Sequence, residues 1–170
     1  MPRSVRQINI ARSAEDVFAF VSDPRNDPQW HDTVLEVTPL SEGPIRRGST
    51  FAAVFRPQGS SVTYDLVAEM TVYEPGRTSE ARVRFAEPRG RLPAMIGHFV
   101  LTFQVEPAGS GARLSRGVET RDAALRYRLL SLLVAPISRR SNDARQDELL
   151  ERIKTILESG AAPKPASSRG

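Results

Sequence analysis

Hydrophobic and polar positions alternate along the middle of the chain and recur at helical spacing near both ends. Residues 5–10 place Ile8 and Ile10 on one face, which predicts a short first strand. Ser13 then offers an N-cap, with Asp16 three residues on, and Val17, Phe18, Phe20 and Val21 form the apolar side of a helix ending near Val21. Asp23, Pro24, Arg25, Asn26, Asp27 and Pro28 end it, because two prolines among turn formers do not stay helical. A helical turn at 29–31 and a strand over 34–39 follow, then a loop through Ser41, Glu42, Gly43 and Pro44.

From Gly48 onward the period is two. Phe51, Ala53 and Phe55 share one side of a strand over 50–56. The longest strand pattern, 62–73, carries Val62, Tyr64, Leu66, Ala68, Met70 and Val72 on one face. Pro75-Gly76 marks a turn before a strand over 80–86, with Ala81, Val83 and Phe85 inward. A strand over 97–106 turns Phe99, Leu101, Phe103 and Val105 inward. A hairpin turn at 107–111 leads into 112–120, with Ala112, Leu114 and Val118 inward. Arg116 falls on that same inward parity.

The C-terminal part is helical. Leu125, Leu129, Leu132 and Leu133 fit a helix over 123–135, which Pro136 should kink or break. Residues 139–159 hold no Pro or Gly, and Leu149, Leu150, Ile153, Ile156 and Leu157 form one apolar face. Such a helix is about 30 Å long, enough to cross a small domain. Its stripe changes character when followed backwards from Leu149, meeting Arg145, Gln146, Asn142 and Arg139. The C-terminal half suits a dry core; the other half needs water or a polar cavity. The order of strand, short helices, antiparallel strands and a long helix predicts an α+β domain. An antiparallel sheet with one apolar face needs a cover, and the terminal helix can supply it.

Composition narrows the class. The 170 residues are 39% hydrophobic with charges of both signs interspersed, which predicts one globular domain over 1–160. Residues 161–170, rich in Pro and small residues, are expected to be disordered. No run of about 20 apolar residues occurs, so no transmembrane helix is predicted. The first ten residues lack the apolar core of a secretory signal and there is no Cys, so a cytoplasmic location is expected. The net charge of +4 invites a nucleic-acid partner. The arginines are scattered, however, with only Arg46-Arg47 and Arg139-Arg140 adjacent, and no basic groove with interleaved aromatics is visible. Two distant histidines without Cys exclude the usual zinc patterns, and no phosphate-binding glycine motif occurs, so neither metal nor cofactor is expected.

The segments INIARSAEDVFAFVSDPRNDPQWHD, GPIRRGSTF, VEPAGSGARLSRGVE and IKTILES together resemble the START-like, or SRPBCC, superfamily, within its polyketide cyclase/dehydrase and lipid-transport group. The most characteristic part is Ala14-Glu15-Asp16-Val17-Phe18 followed by Asp23-Pro24 and Trp30. The resemblance implies a helix-grip fold of the START/Bet v 1-like kind. In it a curved seven-stranded antiparallel sheet wraps around a long C-terminal helix and encloses a deep pocket. It implies a hydrophobic small molecule as partner and leaves room for a homodimer.

Candidate site residues follow from inward parity and from the expected pocket. Phe51, Phe55, Phe85, Met95 and Phe103 are core or pocket wall, which in a hollow fold are one category. Trp30 is a core anchor or a ligand contact, and His31 an acid/base at the pocket mouth or a packing residue beside it. Tyr64 could donate a hydrogen bond to a ligand carbonyl, or sit in the core with its hydroxyl in solvent. A buried Arg116 needs an internal acid or a ligand carboxylate or enolate, unless it reaches water at the sheet end. Arg139, Asn142 and Gln146 either face the cavity or belong to an exposed helix face. Segment 89–96 reads as a candidate gating loop. The favoured expectation is a carrier or sequestering protein for an apolar or aromatic molecule such as a lipid or polyketide. The alternative is a cyclase/dehydratase-type enzyme using the same cavity.

Overall fold

The first strand, β1 (Ser4–Ile10), runs directly into a capped helix, α1 (Ala14–Val21). Ser13 Oγ accepts a hydrogen bond of 3.1 Å from Asp16 N, so the expected N-cap is in place. A 3₁₀ turn (Pro24–Asn26), capped by Asp23, and a one-turn helix α2 (Asp27–Trp30) fold the chain back. The strands β2 (Val34–Pro39), β3 (Thr50–Phe55), β4 (Tyr64–Glu74), β5 (Thr78–Phe85), β6 (His98–Ala108) and β7 (Gly111–Arg121) precede the long helix α3 (Leu125–Glu158). This computed structural model describes residues 4–87, 97–122 and 125–160, and of residues 125–140 the backbone alone.

Among the described residues, seven strands form one antiparallel sheet in the order β1-β7-β6-β5-β4-β3-β2. The order follows from hairpins between successive strands from β2 to β7, with β1 closing the far edge against β7. The helix-grip fold expected from the sequence is the fold observed. Strand β4 begins at Tyr64, two residues later than the alternation predicts, and Val62 is exposed. The alternation of Val62 continues the apolar face, but no partner residue on β3 extends past Tyr64 to pair with it. The break expected at Pro136 does not occur, because α3 runs through it as one helix of 34 residues. A proline inside a helix removes one backbone bond and crowds one carbonyl, and the remaining turns on either side keep the helix going. The tail at 161–170 lies outside the described residues.

The core divides in two. The first cluster joins Leu149, Leu150 and Ile153 of α3 to Ile10, Val17, Phe18, Val21, Trp30, Phe103, Val105, Ala112 and Leu114. All three α3 residues are essentially inaccessible, so the apolar stripe seats where its spacing predicts. The second cluster lies across the sheet and is built from Phe51, Leu66, Ala68, Met70 and Val83. Polar contacts hold α3 against β1: Arg6 makes a two-point contact with Asp147 at 2.7 and 2.6 Å, and Ser4 Oγ donates to Asp143 at 2.8 Å. Near the other end Ala11 N donates to Glu158 and Arg12 Nε to the Leu157 carbonyl, each at 2.7 Å. Tyr73 packs against both clusters, and the space left between them sets up the site.

Candidate functional site

Between the clusters lies a cavity of about 40 Å³. Its sheet wall is Ala68 and Met70 of β4, Ser79, Ala81 and Val83 of β5, and Leu101 and Phe103 of β6. Its other wall is the end of α1 and the turn after it: Val21, Ser22, Pro24 and Asp27. Sheet residues two apart line one face because side chains alternate across a strand. The small residues Ala68 and Ala81 stop short of the opposite wall, which leaves the space unfilled. The two prolines around Asp27 keep the chain out of a long helix there and hold the carboxyl-bearing turn over the sheet.

Behind Phe103, which lines the cavity, lies a polar cluster. Arg116 of β7 pairs in register with Phe103 of β6, so the two side chains stand side by side on the inner face. Arg116 is 2% exposed. Its guanidinium lies over the Trp30 ring at 5.4 Å and over the Phe103 ring at 5.9 Å, distances at which a cation is attracted to a π face. Nη1 of Arg116 donates to Oε1 of the buried Gln146 on α3. Trp30 meets Phe103 edge to face at 6.1 Å. Two buried donors in this cluster have no acceptor among the described residues: Trp30 Nε1 and Arg116 Nε.

The cluster shifts the protonation of its members. Burial pushes the Asp27 carboxyl up to about 8, against the pull of Arg116 and with a further push from Asp23. Burial lowers Arg116 to about 10, opposed by the Asp27 charge and aided by Arg145, so the guanidinium keeps its charge at neutral pH. His31 is driven down to about 3, first by burial and then by the positive fields of Arg116 and Arg145. Its Nδ1 shares a hydrogen bond of 2.8 Å with Thr33 Oγ1. Above it, Arg145 contacts Asp32 and Glu148, and Arg152 reaches the same two carboxylates at 3.5 and 2.7 Å. This exposed lattice ties α3 to the segment that carries Trp30 and His31.

The residues singled out in the sequence fall into separate places. Phe103, Arg116, Trp30 and His31 come together, with Gln146 as the partner of Arg116. Phe51 is buried in the second cluster, and Phe55 and Phe85 pack against it. Tyr64 is partly exposed and packs edge to face on Phe85 at 5.5 Å, away from Arg116's cluster. Asn142 is exposed on α3, and the side chain of Arg139, like Met95 and the segment 89–96, lies outside the described residues. Asn142 is not among the residues lining the cavity against β4–β6. Asp27 is the functional candidate that sequence reasoning missed: it reads locally as one of several turn formers, and only the fold of that turn over the sheet covers most of it. Among the described residues no group of His, Asp or Glu is arranged to hold a metal ion, and no helix is long and apolar enough to cross a membrane.

Comparison with known proteins places the fold. TTHA0849 from Thermus thermophilus is 12% identical and matches at a TM-score of 0.65 over 95% of this chain and 100% of its own. Ara h 8.0201 is 12% identical with a TM-score of 0.63, over 94% of this chain and 99% of its own. DynU16, a protein of the dynemicin biosynthetic locus, is 15% identical with a TM-score of 0.58 over 96% of this chain, which spans half of that protein. No curated protein matches the chain in sequence. The sequence profile of the family described as polyketide cyclase / dehydrase and lipid transport matches residues 1–158. With that match over nearly its whole length, and with the helix-grip fold that carries it, the chain belongs to the polyketide cyclase/dehydrase and lipid-transport family.

Proposed function

We propose that the protein binds a small apolar or aromatic molecule, a lipid or a polyketide, inside the grip and acts as a carrier or sequestering protein. The observation that carries this reading is the unfilled space between the two core clusters, with mainly apolar walls, Asp27 in its lining and buried polar groups behind Phe103. Ligand sites combine those two features. At about 40 Å³ the space has room for water, so loading a ligand widens it. Met70, an unbranched side chain in the wall, is the group that gives way. The test uses Trp30, the single tryptophan of the chain. Titration with a panel of fatty acids, aromatic acids and polyphenols should give a saturable change in its emission. Ala81→Leu, which fills the wall, should weaken that binding about tenfold or more. No saturable change with any compound up to millimolar concentration would overturn the reading.

A second reading rests on Asp27. A carboxyl held at about 8 beside a buried guanidinium can give and take a proton near neutral pH. In a cyclase/dehydratase-type enzyme it would move a proton of a folded polyketone while Arg116 steadied the enolate. Turnover of a poly-β-ketone that disappears in a folded Asp27→Asn variant would favour this reading; turnover unchanged in that variant would remove it.

A further inference from the structure

The polar cluster behind Phe103, one side chain in from the cavity, has more donors than acceptors among the described residues. Arg116 carries a full positive charge, is 2% exposed and has no carboxylate within ion-pair distance among the described residues. A neutral amide, Gln146, is its hydrogen-bond partner. Among the described residues neither its Nε–H nor the Nε1–H of Trp30 has an acceptor, and both are buried on side chains in direct stacking contact. A buried charge is strongly disfavoured unless it is paired, and a buried N–H left unmade costs more than an ordinary bond returns. Among the described residues the arrangement is incomplete in one specific way: it lacks an oxygen that is both an acceptor and negative. Trp30 and Arg116 do not line the cavity themselves; Phe103 and Asp27 do, and Phe103 touches both Trp30 and Arg116, so a ligand oxygen reaches the pair past Phe103. Asp27 acts on Arg116 through its field but makes no ion pair with it within 4 Å among the described residues, and burial pushes its carboxyl up to about 8.

We propose that the ligand is an anion: an apolar or aromatic molecule ending in a carboxylate or enolate oxygen, seated between Asp27 and Phe103 and held by Arg116 Nε–H and Trp30 Nε1–H. This rests on the binding reading above and names the ligand's polar end. A water bridging the two donors would bring no charge to set against the guanidinium.

The experiment compares matched pairs by isothermal titration of the full chain at pH 6.5: benzoate with benzamide, 2-naphthoate with 2-naphthamide, decanoate with decan-1-ol. Each carboxylate should bind tighter than its neutral partner by on the order of tenfold to a hundredfold. Arg116→Met should bring carboxylate affinity down to that of the neutral partner and leave the neutral partner's within about threefold. Trp30→Phe, which keeps the ring and removes the donor, should reduce the carboxylate preference without abolishing it. Equal affinity within pairs overturns the anion assignment and leaves the binding reading standing. Binding of none of the six compounds overturns both. The comparison within wild-type protein decides the matter even where Arg116→Met fails to fold.

Discussion

Replacing Asp27 by Asn should stabilise the protein, and the gain should grow with pH. The carboxyl moves from an ordinary 3.8 to about 8 on folding. Between those values the unfolded chain gives up the proton and the folded protein keeps it, so the unfolded state binds fewer protons and wild-type stability falls as pH rises. Below the ordinary value there is no penalty; above the folded value it is complete. At about 1.4 kcal/mol per pH unit, the penalty at pH 7 reaches about 4 kcal/mol. Asp27 keeps partial exposure, so the expected gain for Asp27→Asn at pH 7 is about 2–4 kcal/mol. The groups facing it are Arg116 from β7 and Asp23 before the turn, with Arg145 of α3 acting on Arg116 and His31 at the end of α2. None of them is altered in the variant, so their own titrations cancel in the difference. Urea denaturation followed by Trp30 emission at pH 4.5, 6, 7 and 8 measures it. A difference that stays flat with pH, or a variant less stable than wild type at pH 8, would refute the argument that the carboxyl is buried beside the cavity.

Two further outcomes follow from the same cluster. His31 is held well below its ordinary 6.5, so its folded-state contribution is intact above that value and drains away as pH falls toward about 3. Its ring resonances should therefore show a neutral imidazole at pH 5 by nitrogen–proton NMR, and His31→Phe should lose less stability than wild type between pH 6.5 and 4. Gln146→Leu takes away the acceptor of Arg116 Nη1 and should destabilise the protein by about 1.5–3 kcal/mol in denaturant unfolding. A loss within about 0.5 kcal/mol would mean that the guanidinium finds other partners.

Much of the fold could be read before any coordinates. The period-two runs marked strands because one face of the sheet is apolar and the other wet, and the Leu149, Leu150, Ile153 spacing marked the buried side of α3 because burial and spacing have one cause. Arg116 stood out for the same reason: a charge on an inward parity position contradicts its neighbours. Gln146 was legible as the polar continuation of the stripe. The path of α3 through Pro136 was not, since local steric cost is outweighed there by helix on both sides. Asp27 was invisible for a different reason. Its burial depends on how a turn between α1 and β2 lies on β4–β6, strands that come much later in the chain, and no local pattern encodes that contact. The Ala68 and Ala81 positions likewise read as ordinary inward residues, and only the distance to the opposite wall turns small side chains into empty space.

Native mass spectrometry of the freshly purified full chain, sprayed from ammonium acetate without prior denaturation, tests the hollow grip most directly. A bound small molecule should appear as a discrete added mass that is released on activation, is lost in Ala81→Leu, and ionises as an anion once freed. Bare protein alone, together with no mass added after incubation with excess 2-naphthoate or decanoate, would contradict the account.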